Sequence, residues 1–501
     1  MTASSYSDTS LKIKKAGYLL GPAIFLFTLL TAPPDGMAVS AWNVCGLAAW
    51  MAIWWMTEAI PLAATALLPV LVYPLCNIVS LKDTLTPYAN PIIFLFLGGF
   101  LIATAIQKTN LHLRIALTIV RFIGTKPDKV VAGFMVSSAF LSMWISNTAT
   151  MLMMLPIALS VVALMRSQME KDASCPPKEF GICMLLGIAY ASSVGGIGTL
   201  IGTPPNAIMS GYMQQSFDLN IGFFEWMEVG VPMVIIMLFA MWWLMTRVLF
   251  CIKTDGKANA KVLIESEMAK LGPMSSDEKR VTLVAVCTAA LWMFNPLLSD
   301  VIPVKFDDTV IAMLGAMALF AIPMNWREPR FILDWKDAES LPWGVLILFG
   351  GGLSMATGFD ASGLSGWIGT SFSTLSDLPP IILLVMVIGA VTVCTTLMSN
   401  VASINIFLPI IVPMAVGINM NPLFFTIPAT MAASCAFMLP VSTANNAIAF
   451  GTGHVSIGQM ARAGFLLNVV ALPILVVLTY AIIIPVFGID IGSLPAWAIA
   501  K

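Results

Sequence analysis

The sequence predicts an all-α polytopic membrane protein: eleven transmembrane helices plus two re-entrant helical hairpins, arranged as an inverted-topology repeat. Three observations predict it. The first is composition: of 501 residues, 58% are hydrophobic and 10% charged, against about 45–50% apolar and about 25% charged in a soluble domain. The second is a pair of apolar segments, 130–165 and 379–417, each longer than one span and short for two spans plus a turn, each with a polar centre. The third is a set of motifs that recurs in the same order in both halves of the chain.

Spans need about 20 apolar residues. Eleven full crossings fit near 17–33, 40–57, 60–78, 90–107, 180–210, 229–250, 281–299, 308–324, 342–360, 422–450 and 464–486. Lys12, Lys14 and Lys15 before the first run imitate a signal peptide, but no A-x-A site follows, so an uncleaved first span is expected. Residues 130–165 lack Asp, Glu, Lys and Arg, and their centre reads Trp144-Ile145-Ser146-Asn147-Thr148. Residues 379–417 are built the same way around Ser399-Asn400. Reading both as hairpins that enter and leave on one face puts 22 of the 25 Lys and Arg residues inside, leaving only Lys82, Lys305 and Lys501 outside. That asymmetry is the positive-inside pattern, with the N-terminus cytoplasmic and the C-terminus external. Lys126, Lys129 and Arg166 flank the first hairpin, which therefore opens from inside; the second has Asp377 before it and opens from outside. The polar 251–280 stretch reads as an amphipathic surface linker, with Val262, Leu263 and Met268 set against Glu265, Glu267 and Lys270.

The repeats match locally. Phe94–Leu101 (FLFLGGFL) parallels Leu346–Leu353 (LILFGGGL); Ser146-Asn147-Thr148-Ala149 parallels Ser399-Asn400-Val401-Ala402; Thr203–Ile208 (TPPNAI) parallels Thr443–Ile448 (TANNAI). Inverted repeats with interrupted helices in corresponding places point to a secondary transporter whose substrate sits near the bilayer midplane. A Ser-Asn-Thr between apolar half-helices makes a tip whose second helix starts with exposed N–H groups, an anion site. The same tip offers hydroxyl, amide and carbonyl oxygens to a small cation such as Na⁺. Gly195–Asn206 and Leu439–Asn446 break the fifth and tenth spans, because Pro and consecutive Gly interrupt helical hydrogen bonding. Unwound backbone at membrane depth must be buried or line a cavity. Single breaks of this kind also serve as kinks and packing points; four of them paired by a repeat point to a site.

Several classes are excluded or disfavoured. Net charge is −1 with no long charge block, so nucleic-acid binding is not expected. Cys45, Cys76, Cys175, Cys183, Cys251, Cys287, Cys394 and Cys435 show no CxxC or metal-ligand spacing and read as buried thiols. No HExxH, GxSxG or paired intramembrane carboxylates point to an enzyme. Leu378–Ala461 holds no Asp, Glu, Lys or Arg, and Glu58, Asp360 and His454 lie near span ends, where a structural role is the ordinary one. A dianion in such a site needs compensation from helix N-termini and bound cations, which favours Na⁺ over H⁺ coupling. No cofactor is expected beyond sodium as coupling ion.

At these residues the chain resembles the divalent anion:sodium symporter family, carriers of di- and tricarboxylates or sulfate. The resemblance runs over Ala89–Phe100, both Ser-Asn tips, Gly202–Asn206 and Phe437–Thr443. It implies a homodimer in the cytoplasmic membrane, with a scaffold and an elevator-like transport domain: scaffold helices in 1–125 and 281–375, transport elements in 126–250 and 376–501. It implies one cation site from Ser142 and Asn147 with backbone at Ser146 and Gly202, and a second from Thr395, Asn400 and backbone near Ser442. Substrate carboxylates would meet Ser146, Asn147, Thr148, Thr203, Ser399, Asn400 and Thr443, with Pro204, Val401 and Ala444 shaping the pocket. The chain departs from the family pattern at Val401, where Thr is usual, and at Ala444-Asn445, where a Pro pair is expected. The implied activity is carriage of C4-dicarboxylates such as succinate, malate or fumarate, by Na⁺ symport. Exchange involving tricarboxylates or 2-oxoglutarate, and carriage of sulfate or another oxyanion, remain alternatives.

Overall fold

A computed structural model describes residues 8–172, 177–252, 260–301, 307–325 and 330–499. Cys175, Lys305 and Lys501 lie outside them. The described chain is helical except for one small antiparallel strand pair, Pro323–Asn325 with Arg330–Phe331. Among the described residues, ten helices are long and apolar enough to cross a bilayer, and three of these are hairpin arms: Asn147–Gln168, Pro380–Leu397 and Asn400–Gly417. Large apolar side chains such as Leu30, Leu75, Phe239, Leu283, Val393 and Val477 face outward, as a lipid-facing surface requires.

The first two helices, Asp8–Leu30 and Val39–Thr57, pair through a ladder of aromatic rings. Tyr18 stacks on Trp54 at 5.9 Å, Trp50 meets Trp54 edge-on at 5.0 Å, and Trp54 Nε1 donates to the Gly17 carbonyl at 3.1 Å. The expected span 60–78 is instead two short helices, Leu62–Thr65 and Leu68–Leu75. Pro69 has no N–H for the preceding turn and crowds the carbonyl four residues back, which breaks the rod at 66–67.

Pro91–Lys108 begins at Asn90, whose side chain accepts from Ile92 N at 3.0 Å. Leu111–Ile123 follows, an amphipathic helix that no apolar run announces: Leu111, His112, Ala116, Leu117 and Val120 are buried while Phe122 is exposed. The linker helix Lys261–Leu271 lies against it. Its buried residue is Ile264, whereas Val262 is 78% exposed, so its apolar stripe is rotated from the expected one.

The first hairpin comprises Pro127–Ser142 and Asn147–Asp172; the second comprises Pro380–Leu397 and Asn400–Gly417. Two broken helices pass beside them: Pro177–Gly195 continued by Pro204–Phe217, and Leu423–Ala433 continued by Ala444–Gly451. They hold the centre of the core. Residues 180–198 are buried throughout, and Tyr190 packs on Phe437 at 5.2 Å while its hydroxyl donates to the Met460 carbonyl at 3.3 Å. The break in each helix is thereby placed beside a hairpin tip.

Candidate substrate and cation site

The two tips and the two helix breaks border one cavity of about 620 Å³. Ser146, Asn147, Thr148, Gly202, Thr203 and Pro204 come to it from the first repeat; Ser399, Asn400, Val401, Ser442, Thr443 and Ala444 come from the second. Residues more than two hundred positions apart are thus brought together. Ser142 and Thr395 do not border the cavity; both are fully buried, one helical turn behind their tips.

Local chemistry explains how the first half is held. Asn206 Nδ2 donates to the carbonyls of Gly196 at 3.0 Å and Thr199 at 2.7 Å, fixing the loop that interrupts the helix. Thr199 Oγ1 in turn donates to the Met143 carbonyl at 2.5 Å, tying the break to the hairpin turn. Ser146 Oγ accepts from Ala149 N at 3.3 Å, as a helix-starting serine does. The Asn147 carboxamide places one of its two heteroatoms 2.6 Å from Ser142 Oγ and 3.2 Å from the carbonyls of both Gly202 and Ser192. A nitrogen in that position donates to both carbonyls, whereas an oxygen there would face two carbonyl oxygens and would need a cation between them. A methyl group on Gly196 would approach within 2.6 Å of the Asn147 side chain and 3.0 Å of the Gly202 carbonyl, so only glycine leaves that room.

The second half repeats the scaffold at the same offsets. Asn446 Nδ2 donates to the carbonyls of Ala436 at 2.9 Å and Leu439 at 3.1 Å, ten and seven residues back, the spacing by which Asn206 reaches Gly196 and Thr199. Thr203 and Thr443 precede their helices with nearly equal dihedrals, φ −146°, ψ 141° and φ −143°, ψ 150°. The tips differ. Asn400 folds its amide oxygen onto Val401 N at 2.9 Å, and Thr395 Oγ1 donates to the Ala433 carbonyl at 2.7 Å, so the three oxygens of Ser142, Ser192 and Gly202 that converge on the Asn147 carboxamide have no counterpart around Asn400.

Other elements add residues that local patterns do not announce. Phe96, Phe100, Thr104 and Gln107 of helix Pro91–Lys108, together with Ser340 and Glu58, complete the walls. Glu58 ends its helix in the left-handed region with φ 46°, and its carboxylate pairs with Lys14 at 3.6 Å. Among the described residues bordering the cavity it is the one charged side chain; none is Lys, Arg or His. Asn445, at the rim of the second break, is also part of the wall. Ser192 contributes a backbone carbonyl, for which side-chain identity gives no signal. No cluster of His, Cys, Asp and Glu able to hold a metal occurs among the described residues.

The chain matches the family model for the sodium:sulfate symporter transmembrane region over residues 12–489. It belongs to this family. Two sodium-dependent dicarboxylate transporters, both called SdcS, are similar to it along nearly their whole length. The Staphylococcus saprophyticus protein is 40% identical over 483 residues, covering 95% of this chain and 92% of the relative. That of Staphylococcus aureus strain USA300 is 41% identical over 481 residues, with the same coverage of 95% and 92%. Solved structures share the fold at low identity. YdaH of Alcanivorax borkumensis superposes with a TM-score of 0.56 at 14% identity, covering 87% of this chain and 98% of that one. MtrF of Neisseria gonorrhoeae superposes at 0.58 and 13%, covering 93% and 98%. The sodium:sulfate symporter family member described here is therefore a multi-pass membrane transporter, not an enzyme.

Proposed function

We propose that the protein carries C4-dicarboxylates such as succinate, malate and fumarate across the cytoplasmic membrane of a bacterium, coupled to sodium. The observation that carries the reading is the cavity itself: two tips and two helix breaks converge on it, and no basic side chain is among the described residues that border it. Helices begin at Asn147, Asn400 and Ala444, bringing backbone N–H groups to the space where two carboxylates would sit, whereas the helix after Thr203 opens with Pro204 and Pro205, which have no N–H to offer. The named activity of the two relatives, sodium-dependent dicarboxylate transport, supports the same substrate class.

In this reading Ser146, Asn147, Thr148 and Thr203 hold one carboxylate and Ser399, Asn400 and Thr443 the other, with Pro204, Val401 and Ala444 setting the width. A sodium ion takes Ser142 Oγ, the Asn147 amide oxygen and the carbonyl of Gly202, with the Ser192 carbonyl as an added ligand and Ser146 backbone beside it. The support is that these atoms already surround one carboxamide position. A second ion at Thr395, Asn400 and Ser442 requires the Asn400 amide to leave Val401 N. That difference also favours a second reading, exchange of one dicarboxylate for another, in which cation binding at the second half is weak or dispensable. Eleven spans and two oppositely opening hairpins, a cytoplasmic N-terminus, an external C-terminus, a homodimeric scaffold and an elevator-like transport domain complete the proposal.

Asn147→Ala and Asn400→Ala, each reconstituted in proteoliposomes, should abolish sodium-driven uptake of labelled succinate while thermal unfolding stays cooperative. Uptake near that of the unaltered protein in both variants would overturn the tip assignment.

A further inference from the structure

Directly behind the first hairpin tip lies a second cavity, of about 180 Å³, that the transport reading does not use. Ile201 borders both cavities and is the wall between them. On one side stands the hairpin turn, with Leu141, Trp144 and Ile145; on the other are helices Pro91–Lys108 and Ser276–Val301, which place Ile102 and Trp292 there. No charged residue is among the described residues that border it. The two threonines that do, Thr282 and Thr288, donate to carbonyls of their own helix, Glu278 at 2.7 Å and Val284 at 2.9 Å. Trp292 Nε1 is bonded to the Asp308 carbonyl at 2.9 Å. Water held in a cavity needs about two to four polar partners, which these walls do not offer. An apolar cavity of roughly 150 Å³ stays dry and takes up small apolar molecules.

The rim belongs to the lipid-facing surface: Phe140 is 42% and Val286 59% exposed, and Leu283 on the same helix also faces outward. From the rim, Leu111, Ile115, Phe140 and Thr282 continue into a groove that reaches Arg114, at the cytoplasmic membrane face in the topology proposed above. The Arg114 guanidinium is already held by Glu278 and two carbonyls, so the groove offers length and apolar surface rather than free charge. An acyl chain is long, narrow and uncharged, and the bilayer supplies it at the rim. An unfilled cavity lacks the dispersion contacts of its walls, and a chain restores them. A side chain from a second copy is the other candidate. It would enter between the hairpin and the scaffold helices, which move past each other in the proposed transport cycle, and would pin them; a hydrocarbon chain makes no directional bonds and leaves them free.

We propose that this cavity is a binding site for an acyl chain of a membrane lipid, seated between the first hairpin tip and the scaffold helices. The site stands on its own geometry; only its placement between moving parts rests on the transport reading.

The test is photolabelling of the full chain in proteoliposomes with a phosphatidylcholine that carries a diazirine on one acyl chain, the labelled residues being mapped by mass spectrometry. Leu141 and Trp292 are each 2% exposed, out of reach of lipid that stays on the outer surface, whereas Phe140 and Val286 are within reach. Label is expected on Leu141 and Trp292 as well as on the rim. Ala285 and Ala289 also border the cavity, and in Ala285→Leu and Ala289→Phe, which fill it, inner-wall label should be lost while rim label stays. Label confined to the rim of the unaltered protein, or inner-wall label that persists in the filled variants, would overturn the proposal. So would protection of rim and wall together, which would assign this face to a second copy. Where neither variant folds, quenching by phosphatidylcholine with brominated acyl chains decides: the quenched share of tryptophan fluorescence should be smaller in Trp292→Phe than in the unaltered protein, and an equal share would overturn the proposal. Succinate uptake by the same vesicles reads the transport proposal separately, since labelling needs no transport.

Discussion

Asn206 and Asn446 are the residues on which the site geometry most depends, although neither is expected to touch substrate. Each ties two carbonyls of an unwound segment that has no helical partner for them. Inside a membrane such carbonyls have no water to turn to. Asn206→Ala is expected to cost about 1–3 kcal/mol, read as a lowered thermal midpoint in detergent; an unchanged midpoint would show that the loop is held by other contacts. Position 401 belongs to the same scale. Val401→Thr adds a hydroxyl opposite Thr148, and is expected to change the ranking of succinate against citrate or 2-oxoglutarate in competition uptake. An unchanged ranking would remove residue 401 from the substrate-facing wall.

At the scale of elements, the contact between the linker and the membrane helices turns on one ion pair. Arg114 in helix Leu111–Ile123 donates to Glu278 Oε1 at 2.9 Å and to the carbonyls of Gly272 and Leu271, at the C-terminal end of the linker helix. Cationic groups are favoured at helix C-termini. Glu278 lies at the start of Ser276–Val301, before the apolar run, and also accepts from Ser275 N at 2.6 Å. Burial acts to raise its pKa, but the hydrogen bonds and charge of Arg114, with the Ser275 N–H, outweigh it and hold the carboxyl below its ordinary value. A lowered folded-state value means the stabilisation is present above the unfolded-state value of about 4.5 and is lost as pH falls through the lower folded value. Thermal midpoints measured from neutral pH into acid should therefore fall, and Glu278→Gln should lower the neutral midpoint while flattening the acid limb. An unaltered acid limb in that variant would assign the loss to other carboxylates.

The same scale shows what was legible in the sequence. Tips and breaks were, because Ser-Asn within a charge-free run and Gly-Pro within a span are local signals, and the repeat paired them. Asn206 and Asn446 were visible inside the matched motifs, though their role as carbonyl clamps follows only from the ten- and seven-residue offsets. Leu111–Ile123 was not legible as an element, since Arg114 and Arg121 interrupt a run of only 13 residues. Gln107 and Ser340 reach the cavity from elements far along the chain, and tertiary placement of that kind leaves no periodic trace; Glu58 was visible as a carboxylate near a span end, but its place on the cavity wall was not. The third span was legible as apolar but not as two pieces; Pro69 carried that information. The linker stripe was misplaced by its choice of Val262, because an 11-residue helix offers too few turns to fix the angle of its apolar face.

For the whole molecule, the central arrangement is two structurally repeated halves that meet at one cavity, whose described lining residues are uncharged apart from Glu58. The hairpin topology has a direct check. In a background lacking native cysteines, among which Cys251 and Cys287 are exposed, Asp377→Cys should react with an impermeant reagent in intact cells and Lys171→Cys should not. Labelling at both, or at Lys171→Cys alone, would contradict oppositely opening hairpins. An anion site without a basic side chain also predicts that substrate and cation are bound together, since helix ends alone offset only part of two negative charges. The most direct test is uptake of labelled succinate into proteoliposomes of the unaltered protein, with and without an inward sodium gradient and with and without internal dicarboxylate. Sodium-coupled symport predicts accumulation that requires the sodium gradient and needs no internal substrate; uptake that ignores sodium and requires internal dicarboxylate would contradict it and leave exchange in its place.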